Sequence, residues 1–338
     1  VIYFITRAHH SYTVGNYLHT WGLGLAPRIQ LLPYETLFGL HDTGTGTYIF
    51  CDLDRLTRSE TAVAIRIWNC LNQARPAVRL LNHPGRPLLR YELLKTLHAQ
   101  GINRFQLFPL NEKRKVSRFP VFIRRAEHDG SRTPLLETPQ KLDQAVAKLL
   151  SLGESPSHLF IVEYCPTQDS AGIFRKYSAF FINGEVIPRH LIFSREWMLK
   201  LPDLIDPEKL REERAYLESN PHRDWIAKIF RLAQIDYGRI DYGLSDGIPQ
   251  VWEINTNPII MLRPERYQLE HLENQKFFAE KIEKAFSAVD HSEKNSHPIK
   301  IVIPFRLMLS VRLERLFRKI AWRLQFLIRR IARGAKSS

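Results

Sequence analysis

A chain of 338 residues, 44% apolar and 25% charged, is long enough for two or three packed units and has the composition of a globular protein. Its formal charge of +14 is uneven: residues 301–338 hold ten Lys and Arg against the single acid Glu314, and subtracting that +9 leaves only about +5 elsewhere, which argues against a nucleic-acid-binding body. Three scattered cysteines, Cys51, Cys70 and Cys165, offer neither a disulfide framework nor a thiolate zinc site, and no run of about 18 apolar residues offers a spanning helix, so a reducing, cytoplasmic setting with buried free thiols is expected.

The opening apolar run Val1–Ile5 is too short for a signal peptide and reads as the start of a strand over Val1–Thr6. Ser11 is placed to cap a helix running to about Trp21. Arg28–Leu32 and Tyr48–Leu53 read as buried strands, Thr57 caps a helix to about Leu71, and Val78–Leu81 is another strand. This alternation predicts a small parallel α/β layer over residues 1–83. Gly44-Thr-Gly46 lacks the third glycine and following helix of a phosphate loop and reads as a turn.

From 84 to 165 the pattern predicts a helix over Leu88–Gln100, strands at Arg104–Phe108 and Pro120–Arg125, a helix from Thr138 or Pro139 to about Leu152, and a strand at Leu159–Tyr164. From 166 to 290, two strands flank Asn183-Gly184, a strong hairpin signal because both residues tolerate positive φ. Residues 207–235 read as helical, and two strands, 238–244 and 250–254, flank Ser245-Asp246-Gly247. Residues 291–338 read as a linker and a basic amphipathic helix opened by Pro304: Leu313, Leu316, Phe317, Ile320, Leu324, Leu327 and Ile331 share one face, with Arg and Lys around the rest.

The chemistry concentrates in Tyr237–Pro258. Strand alternation puts Arg239 and Asp241 on one face of the first strand, and Glu253 and Asn255 on one face of the second. A turn at Asp246-Gly247 sets those faces side by side. Two carboxylates and an amide oxygen make a hard-oxygen set suited to Mg2+, with Mn2+ as the alternative, and an adjacent arginine can neutralise a phosphoryl group in transfer.

On these residues the chain resembles ATP-grasp enzymes, whose metal hairpin reads Arg-x-Asp, a short turn, then Glu-x-Asn-x-x-Pro. Here it is Arg239-Ile-Asp241, then Glu253-Ile-Asn255-Thr-Asn-Pro258. The nearest branches are the glutathione synthase/RimK-like and D-alanine–D-alanine ligase enzymes. The resemblance covers about residues 80–285. It implies an α/β and α+β fold: a pre-ATP-grasp α/β domain (1–83), two ATP-grasp subdomains (84–165 and 166–290) and the C-terminal helix. It further implies that Asp241, Glu253 and Asn255 hold the metal and that Arg239 contacts the transferred phosphoryl group.

The same resemblance places Arg90 and Arg124 where the family has nucleotide-facing lysines, with the loop His128–Ser131 following the second. Arginine retains phosphate binding as a bidentate fork. Leu159-Phe-Ile-Val-Glu163-Tyr164 corresponds to the adenine hinge, with Asp169 as a ribose candidate, and Arg175 or Lys176 takes the place of a phosphate-binding arginine. Arg189-His190, and further on Arg263, Arg266 and Tyr267, are candidates for the acceptor side. The expected activity is an ATP-dependent carboxylate–amine or carboxylate–thiol ligase working through an acyl phosphate. The alternatives are a kinase on the same scaffold and a non-catalytic nucleotide-binding module recruited by its tail. The expected partners are ATP, a carboxylate and an acceptor, with peripheral contact to an anionic membrane through 304–334 and no nucleic acid. The oligomeric state is not legible.

Overall fold

A computed structural model describes residues 1–125, 130–199, 202–291, 297–317 and 320. The first unit runs β1 (Ile2–Thr6), α1 (Tyr12–Leu18), β2 (Ile29–Pro33), α2 (Tyr34–Leu37), β3 (Asp42–Thr43), β4 (Gly46–Phe50), α3 (Arg58–Asn72) and β5 (Val78–Leu81). Strands β2, β1, β4 and β5 pair in that order, all parallel. β4 is buried along its whole length, as a parallel strand covered on both faces must be. α3 begins where the sequence placed it: the Thr57 hydroxyl accepts from Glu60 N–H while the Glu60 carboxylate accepts from Thr57 N–H. Ser11 instead turns its hydroxyl to the Arg7 carbonyl, and α1 ends at Leu18, where Gly22 N–H donates back to Tyr17. Gly44 and Thr45 form the turn from β3 into β4, as the sequence implied.

The second unit holds α4 (Arg90–Ala99), β6 (Leu107–Pro109), β7 (Val121–Arg125), α5 (Pro139–Ser151) and β8 (Leu159–Glu163). Its antiparallel sheet, in the order β6-β8-β7, is covered by α5 through Leu142, Val146 and Leu149. The third contains β9 (Phe174–Ile182), β10 (Glu185–Ser194), α6 (Pro207–Ser219), α7 (Arg223–Ala233), β11 (Tyr237–Ser245), β12 (Ile248–Asn255) and α8 (Leu272–Val289). Its sheet, in the order β10-β9-β11-β12, is wholly antiparallel. Both expected hairpins form, with Asn183, Gly184, Asp246 and Gly247 all at positive φ.

The helical stretch expected over 207–235 forms two helices. Asn220 adopts the left-handed conformation (φ 46) and donates to the Val186 carbonyl at 2.9 Å, and Pro221 disfavours helix in the residue before it. α8, which the sequence reading missed, buries Phe278, Ile282 and Phe286 between the first sheet (Ile2, Phe4) and the third (Phe180, Tyr237). After 297 the chain returns to the first unit. β13 (Ile299–Lys300) pairs with β3, and a helix over 305–317, α9, packs Val311 into the same core as α3. Of the expected amphipathic helix, 318, 319 and 321–338 lie outside the described residues.

Candidate functional site

Strand register builds the site. His190 on β10 pairs with Ser178 on β9, Ser178 with Asp241 on β11, and Asp241 with Glu253 on β12. One polar row therefore crosses four strands. Lys176 lies two residues before Ser178 and shares its face. The Ser178 hydroxyl donates to Asp241 Oδ1 at 2.6 Å and Lys176 Nζ reaches Oδ2 at 2.7 Å. Arg239 forks onto the same carboxylate, Nε to Oδ1 at 2.8 Å and a terminal nitrogen to Oδ2 at 3.1 Å. Glu253 is held by Arg90 from the start of α4, with Arg124 of β7 at 3.8 Å. Asn255 lies two pairs further along, opposite Arg239, and its Oδ1 accepts from Asn257 N–H at 2.9 Å.

These contacts set the charge states. Burial opposes ionisation of Asp241, but Arg239 and Lys176 outweigh it and hold the carboxyl well below the usual range. For Glu253, burial and the repulsion of Asp241 are overcome by Arg90, then Arg124 and Lys176, so this carboxyl too stays below its ordinary value. Burial and the neighbouring Arg90 pull the Arg124 guanidinium down to about 10, against the opposing pull of Glu253. Both carboxylates are therefore ionised at neutral pH, each already paired with cations.

Asp241, Glu253, Lys176 and Arg124 lie in the wall of a cavity of about 630 Å³. The lining also includes the apolar and aromatic side chains of Phe122, Val162, Tyr164, Trp197 and Trp252. Trp197, from the loop after β10, packs 4.9 Å from Phe122 and meets Tyr164 edge-on at 5.9 Å. Trp252 reaches the cavity because of a bulge: Asp241 faces Glu253 but Tyr242 faces Val251, leaving Trp252 as the extra residue. Gly243 makes room for its ring, since a Cβ there would come within 2.6 Å of it. Glu163 is buried at the cavity edge, its carboxylate accepting from Gln106 N–H at 3.0 Å.

Of the residues singled out in the sequence, Asp241, Glu253, Lys176, Arg124, Glu163 and Tyr164 line this cavity together. Arg239 is adjacent through Asp241. Arg90 lines a second cavity of about 170 Å³ that shares Arg124 with the first. Asn255 is outside the wall of the large cavity among the described residues. Three further candidates are held by other partners. Arg175, one residue from Lys176, points to the opposite strand face and is bound by Asp169 at 2.5 Å and Glu212 at 2.6 Å. Asp169 also accepts from the N–H groups of Ala171 and Ile173. Arg189 is likewise committed, to the Ile260 carbonyl, Gln275 and Tyr267. Of the loop read at 128–131, only Gly130 and Ser131 lie within the described residues. Ser178, Trp197 and Trp252 were missed as site residues. For Ser178 the two-residue spacing from Lys176 was the available signal; Trp197 left none.

No protein-family model matches the chain, and no curated protein matches it in sequence. Among solved structures the chain is similar to ligases, an ATP-grasp ligase among them. The D-alanine–D-alanine ligase of Bacillus anthracis complexed with ATP is 11% identical, with 84% of this chain and 98% of that one covered and a TM-score of 0.45. The ATP-grasp ligase PsnB complexed with a minimal precursor is 13% identical, with 85% and 98% covered and a TM-score of 0.49. The D-cycloserine synthetase DcsG is 16% identical, with 84% and 99% covered and a TM-score of 0.44.

Proposed function

We propose that the chain is an ATP-dependent ligase of the ATP-grasp type, which phosphorylates a carboxylate and passes the acyl group to an amine or thiol. The observation that carries this reading is the cross-strand pair Asp241–Glu253 in the lining of a cavity that also presents Val162, Tyr164, Trp197 and Trp252. These residues would hold ATP, the purine against Val162, Tyr164 and Trp252 and the triphosphate toward Arg124 and Lys176. The donor set suits a hard cation: Asp241 and Glu253 would hold Mg2+ (or Mn2+), with Asn255 at the strand end, and the ion would screen charge between phosphate oxygens. Arg90 and Arg124 then exchange Glu253 for phosphate, one anion for another, so neither guanidinium is left unneutralised.

The smaller cavity, walled by Asp54, Arg90, Arg124 and Thr256, gives the acid a place beside the terminal phosphate. The acid's carboxylate oxygen attacks the γ-phosphorus and ADP leaves. The acceptor nitrogen or sulfur then attacks the carbonyl carbon, phosphate departs with the bonding electrons, and the acceptor's proton passes to solvent. The protein positions and neutralises groups, so no nucleophilic side chain is required.

Hydroxylamine trapping tests this reading. The full chain is incubated with ATP, Mg2+, hydroxylamine and a panel of amino and organic acids, and hydroxamates are read by mass spectrometry. A hydroxamate formed together with ADP supports the ligase. A stable phosphorylated alcohol in its place makes the chain a kinase, and nucleotide binding with no product from a whole-cell extract makes it a binding module.

A further inference from the structure

Helix α9 is apolar on two opposite sides. One side is pinned to the first unit: Leu307 and Met308 pack against the core around α3, Val311 is 2% exposed, and Glu314 accepts from the Thr57 hydroxyl at 2.7 Å and from Ser59 N–H. Arg315 completes this side, pairing with the buried Glu60 at 2.9 Å. At about 100° per residue these positions centre opposite Leu309, Leu313, Leu316 and residue 320. That outer face is bare: Phe305 is 72% exposed, Leu313 45%, Leu316 53%, Phe317 65% and Ile320 45%. A run of large apolar side chains at helical spacing, held outward by a docked opposite face, is more than the scattered exposure of a soluble surface.

We propose that this outer face of α9 seats the protein on an anionic bilayer surface. Charge selects the occupant. Arg306 lies among the exposed apolar residues and Arg312 at their edge, and the only acid of residues 301–338, Glu314, is turned inward and used in the dock. The stripe therefore meets a partner with cations and no anion of this segment. A second copy of the chain would bring two segments of +9 together, which disfavours self-association. Headgroup anions match the rim, and acyl chains match the stripe. No described helix is long and apolar enough to cross a bilayer, and the docking of its opposite side on the first unit holds α9 in the surface plane. The dock through Thr57 and Glu60 fixes the orientation of the catalytic body above the membrane.

Vesicle sedimentation with the full chain tests this. Binding to phosphatidylcholine vesicles containing phosphatidylglycerol should exceed binding to phosphatidylcholine alone at least tenfold and weaken with salt. The double variant Leu313→Glu/Phe317→Glu, and separately the milder Leu316→Ser, should lose at least tenfold in bound fraction while ATP binding in the distant cavity is unchanged, which reports intact folding. No sedimentation at low salt overturns the proposal, as does equal binding by the variants. Concentration-dependent dimers abolished by the same substitutions would give the face to a second copy instead. Because ATP binding is read separately, failure here leaves the ligase reading standing.

Discussion

Glu253→Gln is the substitution that separates the site's structural electrostatics from its chemistry. Glu253 is the anion on which Arg90 and Arg124 rest, and these side chains are only 10% and 14% exposed, with Glu253 itself 21%. Removing one partner of a buried ion pair costs ~3–5 kcal/mol. The partial exposure here brings the cost to the bottom of that range or below it, about 2–3 kcal/mol, since water still reaches the group. With an unfolding entropy of about 2.1 cal/mol/K per residue, the full chain should lose about 3–4 °C in Tm. ATP without metal should then restore more Tm in the variant than in the wild type, because its phosphates re-neutralise the two guanidiniums without first displacing a carboxylate. Dependence of ATP consumption on Mg2+ should weaken, and turnover should fall on the order of 100-fold, ~2.7 kcal/mol of barrier. Scanning calorimetry with and without ATP, alongside an ADP-release assay, reads all three. Wild-type turnover in the variant, or an unchanged Tm, would refute the placement of Glu253 at the junction of metal, phosphate and arginine.

The parity of β9 predicts that Lys176→Ala lowers ATP consumption at least tenfold, whereas Arg175→Ala, on the other face, leaves KM for ATP unchanged and costs less than about 1 kcal/mol of stability. Gly243→Ala should push the Trp252 ring from the cavity wall and weaken ATP binding severalfold, measured by quenching of tryptophan fluorescence. Glu60 governs acid stability: burial works against its charge, but Arg7, the Thr57 N–H and Arg315 push its carboxyl from 4.5 down to about 2. Its folded value is below its unfolded one, so its contribution is present above about pH 4.5 and is lost as pH falls toward 2, by up to ~3 kcal/mol at ~1.36 per unit. Glu60→Gln should flatten the denaturation profile across that window, and an unchanged acid slope would remove Glu60 from the account.

Local rules made much of this molecule legible from its residues. Strand alternation and the Asp246-Gly247 turn put Asp241 and Glu253 on one face, because side-chain parity and turn chemistry act within a few residues. The Thr57 capping box and the parallel first sheet follow from equally short-range patterns. What only the tertiary structure decided depends on contacts between distant segments. Lys176 rather than Arg175 serves the cavity because β9 lies beside β11, a pairing that no neighbour in sequence specifies. Arg90 clamps Glu253 across 163 residues, so its role as a counter-ion had no local signature. Trp252 reaches the cavity through a bulge whose register is set between strands. In the tail, composition revealed an apolar stripe with basic flanks, but which side docks was settled by Glu60 and Thr57, more than 250 residues away. Helical periodicity places residues on faces, and only packing determines which face meets protein and which is left to meet something else.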